Sequence, residues 1–288
     1  MEYLHDVKRF IEVLIQSEKF HLLCISGPPG WGKTFLTRQT LGELNTSYQM
    51  LGSYSTPLAL YNSFCEFPDQ LLVIDDTAGI FHNPQSMSIL NAASWPGGSV
   101  CGNRVVKWTS TSELVAQPQV AFKGKIIVLT NFIPDSPQAK AFINRSLFYR
   151  IEIQSKDIGG MLVSAAHSKR HFPDTDLAVK IANFLGDFAH HSYNNSKPCP
   201  ISLRTLELGV ELANVAPEHW RSLLKKAIYT VEALPQESIF LQDISTKAVV
   251  KKLNDSSLKV EDQFREFQNL TGKSRRAFFY ARKSLQTQ

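Results

Sequence analysis

The sequence has few of the features that indicate a secreted, metal-bound or membrane-spanning protein. It contains only four cysteines in 288 residues, and they are too far apart to form a CxxC metal pair or a recognisable disulfide framework. None of its apolar runs reaches the roughly 18 residues that a transmembrane helix needs, and the initial MEYLHDVKRF is unlike a signal peptide. The eight histidines show no ligand spacing with cysteines or acids, so we expect no transition metal. These absences predict a reduced, cytoplasmic protein with no membrane partner.

Acidic residues are missing from the end of the chain. Residues 267–288 carry five basic side chains and no acidic one, whereas the remaining 266 residues carry 26 basic and 26 acidic side chains. The net charge of +5 therefore comes entirely from the last segment. A neutral body with a cationic end predicts a polyanion-binding module at the C-terminus.

The chain also lacks internal repeats and low-complexity stretches, and its composition is that of a globular protein. Short apolar runs at 20–25, 71–74 and 126–129 alternate with helical patterns, which favours a parallel sheet covered by helices. From about residue 155 only helical patterns follow, at 161–167, 176–190, 202–215 and 218–233. We predict an α/β core over 1–155, a helical bundle over 156–235 and a helical C-terminal module over 236–288.

The strongest motif is GPPGWGKT at 27–34, between a predicted strand and a predicted helix. It matches the phosphate-loop pattern GxxxxGK[ST], in which backbone N–H groups and a helix N-terminus surround a phosphate. Lys33 would bind the β- and γ-phosphates, and the Thr34 hydroxyl would bind Mg²⁺. The predicted nucleotide-binding residues are Gly27, Gly30, Trp31, Gly32, Lys33 and Thr34.

Two further strand ends carry polar residues. The run LLVIDD at 71–76 is typical of the Walker-B arrangement, in which Asp75 holds Mg²⁺ and Asp76 is the candidate base for the attacking water. The run GKIIVLTN at 124–131 places Asn131 at the end of another apolar strand. Read alone, Asn131 could equally be a turn former.

Taken together, these motifs resemble the AAA+ ATPase family over roughly residues 1–235. The resemblance implies a P-loop α/β core with a parallel sheet flanked by helices, followed by an all-α lid and a small helical C-terminal domain. It also implies ATP and Mg²⁺ as ligands, assembly into a homo-oligomeric ring or filament, and a sensor role for Asn131 beside the Walker-B acid. The choice of adenine over guanine comes only from this resemblance.

Two arginines extend the resemblance. Arg145, in AFINRSLFYRIEI at 141–153, corresponds to the arginine finger that reaches a neighbouring subunit's nucleotide, and Arg150 is its local competitor. Arg204, in PISLRTLELGV at 200–210, corresponds to the sensor-2 arginine of the lid. One position departs from the family, because Asp76 stands where AAA+ enzymes usually have Glu. This shorter acid leaves open either water-bridged or slow hydrolysis.

The segment 93–125 interrupts the strand–helix pattern. Turn signals at 96–98 and 102–103 flank a short β-like run, which predicts a hairpin or loop. In a ring, Arg104, Lys107 and Trp108 would project from it toward the centre and contact nucleic acid. The alternative is that Trp108 belongs to the core and the charges are solvated.

The last segment, VEDQFREFQNLTGKSRRAFFYARKSL at 260–285, shows a helix, a Thr-Gly turn at 271–272 and a second helix from about 273. This pattern looks like a helix-turn-helix, whose second helix enters the DNA major groove. The alternative is a basic helix that packs on the protein or on a partner. The predicted DNA-binding residues are Lys273, Ser274, Arg275, Arg276, Arg282 and Lys283.

The sequence thus predicts an AAA+ ATPase that couples ATP hydrolysis to work on DNA. By analogy with phage and mobile-element proteins, this would be a helicase, an initiator or a helicase loader in a bacterial or phage-infected cell, with a replication protein as a further partner. Two alternatives stay open. One is a nucleotide-switched DNA-binding adaptor that hardly hydrolyses ATP, and the other is a protein-remodelling AAA+ ATPase whose basic tail is a docking helix.

Overall fold

A computed structural model describes residues 2–52, 56–75, 78–81, 83–95, 104–108, 115–194, 200–233, 250, 260–271, 278–279 and 282. The chain divides into two compact units, residues 1–225 and 226–288. Its strands are β1 (Leu22–Ser26), β2 (Tyr48–Leu51), β3 (Leu71–Asp75), β4 (Arg104–Lys107), β5 (Gln119–Phe122), β6 (Ile126–Thr130) and β7 (Leu147–Arg150). Its helices are α1 (Glu2–Gln16), α2 (Lys33–Glu43), α3 (Pro57–Glu66), α4 (Ala78–Phe81), α5 (Pro84–Ser94), α6 (Pro137–Asn144), α7 (Ile158–Ala166), α8 (Thr175–Asn194), α9 (Leu203–Val215), α10 (Trp220–Ala233) and α11 (Val260–Thr271).

The first unit is built on a five-stranded sheet in the order β2-β3-β6-β1-β7. All four pairings within it are parallel. The three apolar runs predicted as strands are β1, β3 and β6, and they occupy the centre of the sheet. The first four side chains of each strand are apolar and buried on both faces, which requires a layer on each side.

Alternate residues of each central strand enter different layers. Leu22 and Cys24 belong to a large apolar cluster with α3, α5 and α6, whereas Leu23 and Ile25, on the opposite face, are fully buried outside that cluster. Helix α1 contacts both β1 and β7 and packs against α2. The predicted parallel α/β core flanked by helices, with helices after it, is confirmed.

An antiparallel ribbon of β4 and β5 precedes β6 and corresponds to the predicted hairpin. The prediction that Arg104 projects from it is wrong. Arg104 is 4% exposed, and its guanidinium donates hydrogen bonds to the Ala93 carbonyl (2.8 Å) and the Gly124 carbonyl (2.7 Å). Each carbonyl thus accepts a hydrogen bond from a charged group in the protein interior. Arg104 therefore anchors the ribbon to the core. Lys107 is exposed, and Trp108 is half-buried with its ring 5.6 Å from that of Tyr61.

Helix α1 is held at its C-terminal end by a lysine from the strand layer. The Lys125 ammonium donates hydrogen bonds to the carbonyls of Leu14 (2.7 Å), Ile15 (2.8 Å) and Ser17 (2.7 Å). The last carbonyls of a helix have no partner within the helix and carry partial negative charge, so a cation there is stabilising. Lys125 therefore satisfies three acceptors at once and ties α1 to β6.

The residues after 155 that the structure describes form no strand. Helices α7 to α10 begin within three residues of the predicted starts. Helices α7 and α8 approach closely where Gly159 meets Gly186, because a Cβ on Gly186 would lie 3.1 Å from the Cα of Gly159. Among the described residues, no helix is long and apolar enough to cross a membrane.

In the second unit, Phe267 and Phe278 are buried together with Val250, and Phe264 packs against them. These side chains form an apolar cluster within the predicted C-terminal module. Helix α11 ends at Thr271, where the predicted turn begins. The positions Lys273, Ser274, Arg275, Arg276 and Lys283 lie outside the described residues. The helix-turn-helix and the division at residues 155 and 235 both stay predictions.

A pH-dependent stability follows from His21, which precedes β1. Its Nδ1 atom is buried without a hydrogen-bond partner. Burial, and secondarily the charges of Arg104 and Lys125, lower the pKa of His21 from 6.5 to about 4. The unfolded chain therefore takes up a proton below pH 6.5 that the folded protein excludes, and stability falls as the pH drops from 6.5 toward 4.

We expect His21→Gln to lose less stability than wild type between pH 7.5 and pH 5. The difference should be about 1 kcal/mol, allowing for the partial exposure of the ring. Urea unfolding at the two pH values measures it. His5→Gln, at an exposed position of α1, is the control and should behave like wild type. An identical acid-induced loss in His21→Gln and wild type would contradict the assignment.

Candidate nucleotide-binding site

The central strands bring their carboxyl ends to one edge of the sheet. In the parallel register, Ser26 is the partner of Thr130, and Asp75 is the partner of Leu129. The segments that follow β1 and β6 therefore start side by side, and Asp75 ends β3 beside them. Open parallel sheets bind their ligands at this edge.

The segment after β1 is the predicted phosphate loop, and its backbone needs glycine. Gly30 and Gly32 have φ angles of +79° and +77°, a region that other residues adopt only with strain. Gly32 is also the residue that precedes α2 as its N-cap. The loop thus leads directly into a helix N-terminus, as anion binding requires.

Lys33, the first residue of α2, lies within the loop. Its ammonium donates hydrogen bonds to the carbonyls of Gly27 (2.8 Å) and Pro28 (3.0 Å). It also donates to the side-chain oxygen of Asn131, at 2.7 Å. The structure therefore brings together the predicted phosphate-loop lysine and the predicted sensor residue, which are 98 positions apart in the chain.

Thr34 and Asp75 meet in the same way. The Thr34 hydroxyl donates a hydrogen bond of 2.7 Å to the Asp75 carboxylate. A hydroxyl and a carboxylate at hydrogen-bond distance are hard oxygen donors of the kind that Mg²⁺ prefers, and magnesium keeps water molecules in its remaining positions. The pair therefore fits the predicted magnesium ligands. The described part of the chain contains no group of three or more His, Cys, Asp or Glu side chains that could hold a metal ion.

Asn131 is oriented by the residue before it. The buried Thr130 hydroxyl donates to the Phe132 carbonyl (2.8 Å) and accepts from the Phe132 N–H (3.3 Å), which closes a tight turn. Asn131 lies inside this turn, where its side chain meets Lys33. A local turn at the end of a buried strand thus explains why Asn131 faces the loop.

These residues line a cleft of about 880 Å³, which is large enough for a nucleotide. Of the predicted residues, Gly30, Trp31, Gly32, Lys33, Thr34, Asp75, Asn131 and Arg204 line it. Trp31 is 2% exposed, and its carbonyl accepts a hydrogen bond from the Tyr3 hydroxyl at 3.4 Å. Gly27, the first residue of the loop, packs closely against Ile151, because a Cβ on Gly27 would lie 2.7 Å from the Cβ of Ile151. Asp76 lies outside the described residues.

The start of helix α9 covers the loop. A Cβ on Gly30 would lie 2.4 Å from the Ser202 hydroxyl oxygen and 3.5 Å from the Arg204 Cβ. The Ser202 N–H is capped by the Thr205 hydroxyl at 3.2 Å, which fixes this first turn. Arg204 is therefore at the cleft, on an exposed position of α9.

The other two arginines do not line the cleft. Arg145 is the exposed C-cap residue that follows α6, and Arg150 is exposed at the end of β7. The Arg150 guanidinium lies 6.0 Å from the centre of the Phe148 ring. The Arg282 guanidinium, in the second unit, donates to the Gln263 side chain at 3.2 Å and is half-buried.

Sequence reasoning missed the residues that complete the walls of the cleft. Tyr3 and Leu4 come from the first turn of α1, and His171 and Phe172 come from the segment after α7. The His171 ring meets the Phe35 ring edge-on at 4.9 Å. None of these positions belongs to a local motif. The one usable signal was the amphipathic pattern of α1, which indicated packing but no site.

No family model and no curated protein matches the sequence. Solved structures of RuvB from Thermotoga maritima align with the chain at low identity. One point mutant is 12% identical, with 94% of this chain and 84% of that one covered and a TM-score of 0.46. The structure described as the Holliday junction branch migration motor is 13% identical, with the same coverage and a TM-score of 0.44. A second point mutant is 14% identical, with 98% and 87% covered and a TM-score of 0.47. The fold and the site rest on the strand order and phosphate loop of this chain, not on these alignments.

Gly30→Ala tests the contact between the loop and α9. We expect nucleotide affinity to fall at least about tenfold and the free energy of unfolding to fall by about 1–2 kcal/mol, because the new methyl group requires a strained φ and meets Ser202. Titration with a fluorescent ATP analogue and urea unfolding measure the two effects. The control is Gly42→Ala in α2, where the added Cβ has no neighbour within 4 Å. It should stabilise the protein by about 0.5–1 kcal/mol and leave binding unchanged. Wild-type affinity in Gly30→Ala would contradict the described contact.

Proposed function

We propose that the chain is an AAA+ ATPase that couples ATP binding and hydrolysis to the remodelling of DNA. The observation that carries the proposal is the convergence of three strand ends on one phosphate loop. Lys33 contacts Asn131, Thr34 contacts Asp75, and Arg204 enters from a helical segment over the same loop. A structural glycine turn would need none of these partners.

The residues of the site have complementary roles in hydrolysis. Lys33 and the loop N–H groups bind and orient the β- and γ-phosphates. Thr34 and Asp75 would hold Mg²⁺, which when bound withdraws negative charge from those phosphates. Asn131 orients the water that attacks the γ-phosphorus as the bond to the bridging oxygen breaks. Asp76 accepts the proton of that water.

Arg204 and Arg145 act on the same phosphates from different sides. Arg204 already lines the cleft and would contact the nucleotide within the subunit. Arg145 is exposed and outside the cleft of its own chain, which supports a role at the nucleotide of a neighbouring copy. The proposal therefore includes a homo-oligomer, as a ring or a filament, in which each site is completed by its neighbour.

The C-terminal segment supplies the proposed contact with DNA. Its five cations carry the whole net charge of the chain, and Phe264, Phe267 and Phe278 give it a core of its own. The proposal extends to a lid over 156–235, a DNA-binding module over 236–288, and a role as helicase, initiator or helicase loader with a replication partner. The choice of ATP and the phage or mobile-element setting belong to this finer proposal.

One sequence feature favours a second candidate. Asp76 is one methylene shorter than the usual glutamate, which supports a nucleotide-switched DNA-binding adaptor with slow turnover. Such a protein would bind ATP and DNA as proposed but would hydrolyse ATP little. The ATPase rate separates the two candidates.

Three substitutions test the ATPase. Lys33→Ala should abolish ATP binding, since it removes the charge that faces the β- and γ-phosphates. Asp75→Asn should keep much of the binding and lower magnesium-dependent turnover at least about 100-fold. Arg145→Ala should keep binding and lose turnover. Phosphate release and fluorescent-nucleotide titration measure both quantities.

A mixture of Lys33→Ala and Arg145→Ala proteins should regain part of the activity, because some interfaces then join an intact Lys33 to an intact Arg145. Arg150→Ala is the control for Arg145 and should retain turnover. Full turnover in Arg145→Ala alone would refute the role across the interface. ATP binding by Lys33→Ala at wild-type affinity would refute the nucleotide site itself.

A salt series tests the C-terminal segment. If four or five of its cations contact phosphates, a plot of log affinity for duplex DNA against log salt concentration should have a slope of about −4. Replacing Lys273, Arg275 and Arg276 by Ala should bring the slope closer to zero by about 2 to 3 and leave basal ATPase unchanged. Lys19→Ala/Lys156→Ala, which removes two exposed lysines of the first unit, is the control and should leave the slope as it is. Wild-type affinity and slope in the triple variant would show that these residues do not bind DNA.

A further inference from the structure

Helix α8 and the first turns of helix α10, up to Lys225 at the end of the first unit, carry a set of cations held over aromatic rings. We call it the cation–ring surface, and it consists of Phe184, Phe188, Trp220, Arg221 and Lys225. The Lys225 ammonium lies 5.7 Å from the centre of the Phe184 ring and 5.9 Å from that of Phe188. The Arg221 guanidinium lies 4.9 Å from the centre of the Trp220 ring. The rings also contact one another, with Phe184 edge-on to Trp220 at 5.2 Å.

The two cations are more accessible to solvent than the rings beneath them. Trp220 is only 4% exposed, and Phe184 and Phe188 are half-buried, whereas Arg221 and Lys225 are both exposed. A ring below a cation limits the motion of its long side chain without neutralising its charge. Both cations are therefore partly pre-organised for an anion that arrives from solvent.

The charges near this surface leave it positive. Within the described part of the chain, neither Arg221 nor Lys225 forms an ion pair with a carboxylate. Lys180, also exposed, lies one turn before Phe184 on α8. The acidic residues closest in sequence are Asp187 on α8 and Glu218 just before α10. Residues 180–188 and 218–226 together carry four lysine and arginine side chains, Lys226 included, against two acidic ones, and this excess favours a negatively charged partner.

The side chains of Arg221 and Lys225 indicate which kind of negatively charged partner fits this surface. Arg221 presents a planar guanidinium that is backed by an indole ring, and such planes stack on unpaired nucleobases. Lys225 follows four residues later on the same helix, a rise of about 6 Å, which is comparable to the step between phosphates of an extended strand. An acidic peptide would use the charges but not the stacked plane.

We propose that the cation–ring surface is a second nucleic-acid site, which takes single-stranded DNA or RNA with a base on Arg221 and a phosphate on Lys225. This site does not include residues of the C-terminal segment. It rests on the proposed function only because both require a nucleic acid as the partner. The C-terminal segment would bind the duplex, while this surface would hold a strand that is separated from it.

Two single variants of the full-length protein separate stacking from charge. Arg221→Lys keeps the charge and removes the plane, so it should bind a fluorescent oligo(dT) of 30 nucleotides about tenfold more weakly with an unchanged salt slope. Lys225→Gln removes one phosphate contact, so it should reduce the slope for oligo(dT) by about 0.7. Both should bind a 30-base-pair duplex like wild type. Lys19→Ala/Lys156→Ala is again the control, and thermal melting confirms that each variant is folded.

The following results would each overturn the proposal. Wild-type affinity and slope in both variants would show that the surface does not bind the strand. Equal losses on oligo(dT) and on the duplex would refute its preference for single strands. Loss of poly-glutamate binding with oligo(dT) unaffected would identify an acidic protein as the partner. If wild type bound neither oligo(dT) nor the duplex, the DNA part of the proposed function would fail as well, whereas unchanged oligo(dT) binding in the variants removes this site alone.

Discussion

The parallel register of β1, β3 and β6 is the constraint on which the candidate site depends. Because Ser26 pairs with Thr130 and Asp75 with Leu129, the segments that follow β1, β3 and β6 leave the sheet at the same level along the strands. The hydrogen bonds from Lys33 to Asn131 and from Thr34 to Asp75 follow from that alignment. A slip of one residue in β6 would exchange its two faces and carry Asn131 away from the loop. The chemistry of the site is thus specified by strand pairing more than by the loop alone.

Three layers of the first unit meet at the phosphate loop. The sheet supplies its base through the close approach of Gly27 and Ile151. Helix α1 bonds to the Trp31 carbonyl through Tyr3, and α9 touches Gly30 through Ser202. A ligand that reshapes the loop must therefore act on a strand, on the first helix and on the helical segment together. This shared contact gives a physical route from phosphate binding to movement elsewhere in the unit.

The sequence predicted those parts of the structure that have a local cause. Strands β1, β3 and β6 are short apolar runs because both faces are covered, whereas the edge strands β2 and β7 mix polar and apolar residues and gave a weaker pattern. The contact of Ser202 with Gly30 joins distant segments and leaves no trace in either one. Arg104 was expected to project from the hairpin, because the sequence around it shows only turn signals and a short β-like run. Its burial depends on two carbonyls, of Ala93 and Gly124, that only the folded chain brings together.

Helix α1 is fixed at both ends, by Tyr3 at the phosphate loop and by Lys125 at its last carbonyls. An inserted or deleted residue would turn one end relative to the other by about 100° and shift it by about 1.5 Å, so that both anchors could not be kept. During divergence, α1 should therefore accept exchanges on its outer face while conserving its length. Helix length, rather than residue identity, is then the character by which this helix could be recognised in distant relatives of the chain.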